Sequence, residues 1–207
     1  MVRMSRMSPS STSRPYHHGD LRSALLKSAE RTLRDKGAGA LSLRELARDI
    51  GVSHAAPGRH FKDKQALLDA LALDGYERLN QALDTASGHP GRTLEERMTA
   101  LARAYLGFAV ENPELLELMF ARKHHPDSSA QLASAVDRSL NSFTGMIADA
   151  QERGEIVPGD PERITMVAAA SLHGLAALIA SCALEAEEAL AGLDAHVHLL
   201  LHGLRPR

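Results

Sequence analysis

The sequence has few of the features that stabilise secreted proteins or anchor a chain in a membrane. It contains one cysteine, Cys182, which excludes a framework of internal disulfides and fits a reducing cytoplasm. No apolar run approaches the ~20 residues that span a bilayer. The first 14 residues are basic and rich in serine but lack the apolar core of a secretory signal. We therefore expect a cytoplasmic protein that does not enter a membrane.

Motifs of the common enzyme classes are also missing. The sequence has no Gly-x-Ser-x-Gly elbow, no glycine-rich phosphate loop and no His-Glu-x-x-His zinc motif. Cys182 lies in an apolar segment without a cation to activate it, which favours an inert thiol. No stretch sustains the alternation of apolar and polar residues that marks strands, so the chain is predicted to be all-α. These absences favour a binding or regulatory protein without a cofactor over an enzyme.

Charge is divided unevenly along the chain. Residues 1–64 contain 13 lysines and arginines against 6 acidic residues, a net charge of +7, whereas residues 65–207 have a net charge of −9. The net charge of −2 is therefore the sum of a basic part, residues 1–64, and an acidic part, residues 65–207. We call the first part the head and the second part the body. A local positive potential of this kind attracts phosphate backbones, and the acidic body discourages unspecific binding.

The segment 42–64 predicts two short helices joined by a tight turn. Ser42 and Glu45 have the Ser-x-x-Glu spacing of a capping box, and an apolar stripe at helical spacing follows them. Gly51 is suited to end this helix in a left-handed conformation, and Ser53 is suited to cap a second helix. The pattern is that of a helix-turn-helix.

The second helix, predicted over residues 54–60, has a small and basic outer face that suits a DNA major groove. The side chains of this face are His54, Ala55, Arg59 and His60. The helix-turn-helix would then span about residues 42–61. A generic helical hairpin inside an all-α core has a similar pattern and remains the alternative from these residues alone.

Residues 19–71, GDLRSALLKSAERTLRDKGAGALSLRELARDIGVSHAAPGRHFKDKQALLDAL, resemble the N-terminal domain of the TetR family of transcriptional regulators. The long first helix, the serine-started second helix, the Gly-Val-Ser turn and the recognition helix ending in His-Phe follow the family's order. The resemblance implies a three-helix DNA-binding domain followed by a helical bundle that senses a ligand. The family usually has a phosphate-contacting aromatic residue where this chain has Gly58, so that contact lacks its usual side chain.

The resemblance and the basic face together predict the DNA contacts. Serines and lysines at the rim are expected at phosphates, and Arg59 is the natural reader of guanine among the residues facing the bases. The predicted phosphate-binding residues are Ser42, Ser53, Lys62 and Lys64. The predicted DNA-binding residues as a whole are Ser42, Arg44, Ser53, His54, Ala55, Ala56, Arg59, His60, Lys62 and Lys64.

Apolar periodicity continues to the end of the chain and predicts about nine helices in all. Capping signals precede four of the later helices, at Asp63, Thr93, Asn112 and Asp160. The last helix is predicted over about residues 185–203. We divide the chain into a disordered basic arm at 1–17, a helix-turn-helix domain at 18–64, and a helical ligand-binding and dimerisation domain at 65–207.

The segment ITMVAAASLHGLAALIASCAL, residues 164–184, presents small residues on several faces, as close helix pairing requires. Burial inside one subunit is the alternative. Leu172-His173-Gly174 resembles the Trp-His-Gly element of one group of C-terminal domains in the family, with leucine in place of tryptophan. The family resemblance implies a homodimer through the last two helices, which would read a palindromic site on double-stranded DNA.

Apolar and methionine side chains of the C-terminal half are the candidates for a ligand cavity, with His173 as the best polar candidate. The predicted ligand-binding residues are Phe108, Leu115, Met119, Phe143, Met146, Met166 and His173. Stripes at helical spacing equally describe plain core, and a core histidine is the alternative for His173. His198 and His202 have zinc-ligand spacing, but no cysteine or carboxylate cluster joins them, so we expect a solvated face and no metal site.

These features predict a dimeric, sequence-specific DNA-binding regulator, a repressor that a small apolar ligand releases from its operator. An activator or co-regulator would use the same DNA contact. A helical enzyme or binding protein with a vestigial helix-turn-helix is the remaining alternative.

Overall fold

The computed structural model describes residues 18–87 and 93–204, so the basic arm predicted at 1–17 lies outside the described residues. Within these ranges the chain forms nine α-helices and no strand, which confirms the predicted all-α class. The helices are α1 (His18–Lys36), α2 (Leu43–Asp49), α3 (Lys64–Ser87), α4 (Leu94–Glu111), α5 (Pro113–Lys123), α6 (Ala130–Glu152), α7 (Pro161–Ala180), α8 (Ala186–Ala191) and α9 (Leu193–Leu204).

Side-chain caps start three of the four later helices for which the sequence predicts one; at α5, Asn112 makes no capping hydrogen bond and its side chain donates to the carbonyl of Phe108 instead. The carboxylate of Asp63 accepts a hydrogen bond from the backbone N–H of Ala66 at the start of α3, at 2.8 Å. Thr93 and Glu96 form a complete capping box at the start of α4. Asp160 accepts from the backbone of the first turn of α7. Caps of this kind stabilise a helix by about 0.5–2 kcal/mol each, and they set where the chain enters the bundle.

The capping box predicted at the start of α2 does not form. Ser42 has the extended backbone of an N-cap residue, but its side chain accepts no capping hydrogen bond. Glu45 instead turns towards the guanidinium of Arg48, with an N···O distance of 3.9 Å. The end of α2 is as predicted, because Gly51 adopts a left-handed conformation with φ +73°.

The recognition helix predicted over residues 54–60 is a turn followed by a 3-10 helix at Pro57–Arg59. The backbone N–H of His60 donates to the carbonyl of Pro57 at 2.9 Å, a bond that spans three residues rather than four. Pro57 lacks the N–H that an α-helix would use, and Gly58 costs up to about 1 kcal/mol in a helix interior. The prediction of a two-turn α-helix is wrong here, and the described head contains two α-helices and this tight turn.

Two details differ near the C-terminus. The helix predicted over residues 185–203 is divided into α8 and α9 by Gly192, which keeps the number of helices in the described ranges at nine. Cys182, predicted inside an apolar helix, lies beyond the end of α7 in a left-handed conformation and is exposed. In both places the sequence remains apolar while the helical hydrogen bonding is interrupted, so apolar composition alone does not reveal the end of the helix.

The helix α3 occupies the centre of the structure and packs against α1, α4, α5 and α6. Its buried side, with Leu67, Leu71, Tyr76 and Leu83, belongs to one apolar core that extends from α1 to α9. Because α3 begins shortly after the tight turn and packs against α4, α5 and α6 along its length, it connects the basic head with the acidic body in a single element.

Charged side chains join α3 to α5 and to α1. The buried guanidinium of Arg122 on α5 donates to Asp69 and to Gln65, both at 2.7 Å, near the beginning of α3. In the middle of α3, Arg78 donates to Glu30 of α1 at 3.0 Å. Removal of one partner of a buried ion pair costs about 3–5 kcal/mol, so the contact between α3 and α5 is the more consequential of the two.

Gly75 lets α3 and α5 approach closely. A Cβ atom built at this position would lie 2.6 Å from the Sδ atom and 3.0 Å from the Cγ atom of Met119, so this fully buried side chain would have to shift within the core. The absence of a side chain at Gly75 is therefore a packing requirement of the interface between the two helices.

The helix α7 is more apolar than we expected from the sequence. Its length and composition meet the requirements for crossing a membrane, with a mean hydropathy of 1.5, although the sequence analysis expected no such run. Only 22% of that stretch is buried within the chain, and Met166, Val167 and Leu178 are exposed. Exposed apolar side chains of this size are typical of a contact surface.

We expect Gly75→Ala to destabilise the protein although alanine favours helices more than glycine. Overpacking costs about 1–3 kcal/mol, against a gain of up to about 1 kcal/mol in helix propensity, so the free energy of unfolding should fall by as much as 2 kcal/mol. Urea denaturation followed by circular dichroism measures this change. Gly145→Ala on α6, where a Cβ meets no atom within 4 Å, is the matched control and should be neutral or stabilising. Equal stabilities of the two variants would contradict the packing argument.

Candidate functional site

The tight turn after α2 displays most of the predicted DNA-binding side chains. Pro57 and Phe61 are buried and hold the segment against the head, and the guanidinium of Arg22 lies 5.6 Å from the centre of the Phe61 ring. The residues between and around these two anchors face outward. Exposed are Arg44, Ser53, His54, Ala55, Arg59 and Lys62, while Ser42, Ala56, His60 and Lys64 are half-buried.

The cations of this surface differ in whether they are neutralised by the protein. Arg48 has the carboxylates of Glu45 and Asp49 within 3.9 Å. Among the described residues, no carboxylate forms an ion pair with Arg44, Arg59 or Lys62. Positive side chains without a partner on an exposed surface are available to phosphate oxygens. The turn therefore has the charge and exposure that DNA binding requires.

Lys64 has a structural bond in addition to its predicted phosphate contact. Its Nζ atom donates to the backbone carbonyl of Gly39 at 2.9 Å, which joins the first residue of α3 to the connection between α1 and α2. An ammonium has three donors, so the bond leaves capacity for a phosphate. Lys62 is exposed and has no such structural bond among the described residues.

A cavity of about 270 Å³ lies between α3, α4, α5, α6 and α7, behind the head. Three of the predicted ligand-binding residues line it, namely Phe143, Met166 and His173. The other four, Phe108, Leu115, Met119 and Met146, are buried in the core and do not line this cavity. Helical periodicity indicates that all seven residues face the core, but it does not indicate where the packing of the helices leaves space for a ligand.

The cavity also has polar residues that the sequence analysis did not assign to it. These are Tyr76 on α3, Tyr105 on α4, Lys123 on α5 and Ser139 on α6. The signal in the sequence is a polar atom at a core-facing position of an apolar stripe, as for Tyr76 and Tyr105. Their assignment to one site needs the helix packing, because the residues come from four different helices.

His173 is held from two sides. The Oη atom of Tyr105 lies 2.9 Å from its Nδ1 atom, and the ring of Phe120 stacks on the imidazole with 4.1 Å between ring centres. Burial lowers the pKa of His173, and the charge of Lys123 lowers it further. The imidazole is therefore neutral at pH 7. It forms part of the cavity wall, and its Nδ1 atom already has a partner.

Lys123 supplies a cation at the same end of the cavity. Its Nζ atom lies 4.1 Å from the centre of the Phe120 ring, on which the ammonium is held by a cation–π contact. Burial lowers the pKa of Lys123 because the charged form is partly removed from water. No carboxylate in the described part of the chain forms an ion pair with this ammonium.

The hydroxyl of Tyr76 is a buried donor without a partner among the described residues. The residue is 3% exposed and lines the cavity. Burial raises the pKa of Tyr76, so the hydroxyl keeps its proton. By contrast, the hydroxyl of Ser139 is satisfied, because it donates to Asn80 at 2.8 Å.

The histidines near the C-terminus have partners other than a metal. His198 lies 2.9 Å from a carboxylate oxygen of Glu95, and His196 lies 2.8 Å from the hydroxyl of Ser171. Within the described ranges, no three histidine, cysteine or acidic side chains are arranged to hold a metal ion.

An apolar surface on α7 and α9 is the third feature of interest. On α7, Met166 and Val167 are 61% and 60% exposed, and Leu178 is also exposed. On α9, Leu199 is 71% exposed. Large apolar side chains on two neighbouring helices are typical of a protein–protein contact. Met166 belongs both to this surface and to the wall of the cavity.

Comparisons with known proteins agree with this geometry. Residues 25–71 match the family model of bacterial regulatory proteins of the tetR family, and residues 98–204 match the model of the tetracyclin repressor-like C-terminal domain. An HTH-type transcriptional regulator of Mycobacterium tuberculosis is 31% identical over 138 residues, which are 64% of this chain and 58% of that protein. The chain thus spans less than two thirds of the length of the curated relatives it matches first.

Solved structures are similar over nearly the whole chain. A protein of unknown function from Rhodococcus sp. RHA1 is 44% identical, with a TM-score of 0.86 over 94% of this chain and 100% of that chain. The transcriptional regulator FadR of Bacillus subtilis, solved in complex with stearoyl-CoA, is 13% identical, with a TM-score of 0.74 over 89% of this chain and 100% of that chain. The second likeness shows the fold alone.

We expect Tyr76→Phe and Tyr105→Phe to have opposite effects on stability. Loss of the Tyr76 hydroxyl removes a buried group without a partner, so the free energy of unfolding should stay constant or rise by up to about 1 kcal/mol. Loss of the Tyr105 hydroxyl breaks the hydrogen bond to His173 and should lower the free energy of unfolding by about 1 kcal/mol. Urea denaturation of the two variants beside the parent protein measures the difference. The assignment fails if Tyr76→Phe is the less stable variant.

Proposed function

The chain belongs to the TetR family of bacterial transcriptional regulators, and from that premise we propose that it is a homodimeric repressor released from its operator by a small molecule. One observation above all supports this proposal. The helix α3 begins beside the exposed basic turn and contributes Tyr76, Leu79 and Leu83 to the cavity. A change in cavity occupancy therefore acts on the same rigid element that positions the head.

We propose that residues 18–64 form the DNA-binding domain and residues 65–207 the domain for the effector and the second subunit. Arg59 would read a base, while Arg44 and Lys62 would contact phosphates. The 3-10 turn at Pro57–Arg59 offers fewer base contacts than a two-turn helix. Specific binding would then depend more on pairing of two heads on a palindrome than on a single reading surface. A chain that acts on DNA in this way would work in the cytoplasm.

The proposed dimer uses the apolar surface on α7 and α9. The exposure of Val167, Leu178 and Leu199 supports it, as does the composition of α7, whose apolar face is largely outside the core. Burial against a second copy removes that surface from water at about 25 cal/mol per Å². In this proposal, dimerisation rather than a membrane accounts for the apolar helix.

The proposed coupling runs from the cavity through α5 to the start of α3. Phe120 and Lys123 line the cavity, and Arg122 between them donates to Asp69 and Gln65. A ligand that shifts α5 would move the beginning of α3 and with it the head. Such a ligand must bind the form of the protein that is released from DNA more tightly than the DNA-bound form. A coupling free energy of about 1–3 kcal/mol between two sites is usual.

Activation instead of repression would use the same contacts, so the sign of regulation rests on the family alone. The family consists of regulators rather than enzymes, which leaves the enzyme alternative without support. The complex of FadR with stearoyl-CoA supports a small-molecule effector in this fold. The cavity described above is small enough to require a more compact ligand.

Arg59→Ala should abolish the preference for the operator, whereas Lys62→Ala should weaken binding to all duplexes about equally. A base contact contributes about 1–3 kcal/mol of discrimination, while a phosphate contact is insensitive to sequence. Fluorescence anisotropy on the duplex upstream of the protein's own gene, beside a scrambled duplex over a salt series, measures both effects. Arg34→Ala, an exposed change on α1 away from the turn, is the control. Similar losses on both duplexes for Arg59→Ala would contradict the assignment of base reading.

Charged substitutions on the apolar surface should dissociate the dimer. Val167→Glu and Leu199→Glu each place an unpaired charge in the proposed interface and should weaken self-association at least about tenfold. Sedimentation velocity over a concentration series measures this, and operator binding should be lost in parallel. Ala133→Glu, which adds the same charge to an exposed position of α6, should leave the dimer intact. If all three variants associate like the parent protein, α7 and α9 do not form the interface.

A further inference from the structure

We propose that the cavity binds a compact apolar molecule with a single carboxylate, whose charged end is held by the ammonium of Lys123 and the hydroxyl of Tyr76. This inference rests on the proposed function only in taking the cavity for the effector site. It defines the chemical class of the effector, which neither the family nor the fold does.

The first argument is the uncompensated cation at the cavity wall. Lys123 is half-buried, and its nearest charge-stabilising contact among the described residues is the face of Phe120. An ammonium that is partly removed from water and has no carboxylate partner is costly, which agrees with the lowered pKa of Lys123. An anion bound beside it restores the missing counter-charge. A neutral ligand would leave the ammonium unpaired, and a cationic ligand would be repelled.

The second argument is the free donor of Tyr76. Its hydroxyl is buried, protonated and without a partner among the described residues, and Tyr76 lines the cavity, so one hydrogen bond is available to a ligand atom that reaches the hydroxyl. A carboxylate has two oxygens and accepts from both groups, one from the ammonium and one from the hydroxyl. Hydrogen bonds to charged groups are stronger than those between neutral groups. The Tyr76 hydroxyl therefore contributes more to the binding of an anion than to the binding of an alcohol.

The remaining walls set the shape of the ligand. They are apolar apart from groups that already have partners, such as the pair Tyr105 and His173 and the hydroxyl of Ser139. The body of the ligand must therefore be hydrocarbon or aromatic. A volume of about 270 Å³ lies just below the usual range of small-molecule sites, which favours a short acyl chain or one aromatic ring. Among the described residues, no second cation lines the cavity, so a doubly charged phosphate would be poorly neutralised.

Isothermal titration calorimetry with matched probes tests this inference directly. The probes are octanoate and phenylacetate, each compared with the alcohol of the same carbon skeleton, 1-octanol and 2-phenylethanol, on the full-length protein. We expect at least one carboxylate to bind about tenfold more tightly than its alcohol. Lys123→Met should reduce this preference to within about twofold, and Tyr76→Phe should weaken the carboxylate several-fold with little effect on the alcohol. Lys27→Met, an exposed change on α1, should preserve the preference.

The inference is overturned if neither carboxylate binds more tightly than its alcohol, or if Lys123→Met retains the full preference. Anisotropy of operator DNA in the same samples separates this result from the proposed function. Carboxylate binding without release of DNA supports the site and contradicts the repressor mechanism. Operator binding by a protein that does not prefer carboxylates supports the regulator and contradicts the site.

Discussion

The contact between α3 and α5 is the constraint on which the rest of the structure depends. A buried guanidinium on α5 is hydrogen-bonded to two side chains near the start of α3, and three residues earlier on α5 the fully buried side chain of Met119 lies against the bare backbone of Gly75. Ionic and steric complementarity thus act on the same pair of helices. One of these helices leads to the exposed basic turn, and the other contributes an aromatic ring and a cation to the cavity wall. The two features are joined by tight packing rather than by a long path.

The polar atoms of the cavity wall fall into two groups. The Ser139 hydroxyl donates to Asn80, and the Tyr105 hydroxyl lies 2.9 Å from Nδ1 of His173. The Tyr76 hydroxyl, by contrast, has no partner in the described chain, and the Lys123 ammonium has only an aromatic face. A buried polar group without a partner lowers the stability of the folded protein. In our proposal, a bound carboxylate supplies the missing partner of both groups.

The sequence predicts the helices well wherever side-chain chemistry acts locally. Asp63, Thr93 and Asp160 begin helices because their oxygens reach backbone N–H groups two or three residues ahead, and Gly51 ends one because glycine tolerates the left-handed conformation. The failures have a different origin. At Pro57–Arg59 the missing donor and the added backbone freedom outweigh the family pattern. Within the candidate site, periodicity identifies which face of a helix is buried but not where packing leaves space. For this reason Phe108 and Met119, predicted as ligand-binding residues, lie in the core, and Lys123, which lines the cavity, was not predicted.

The short 3-10 turn has an evolutionary consequence. Its two anchors, Pro57 and Phe61, are buried only four positions apart, so the chain between them cannot rotate about an axis or slide in register as a longer helix can. The orientation of Gly58, Arg59 and His60 is thereby determined by the backbone. If this turn reads the operator as we propose, substitutions at positions 58, 59 and 60 would change the operator preference of a relative one residue at a time, on an unchanged backbone.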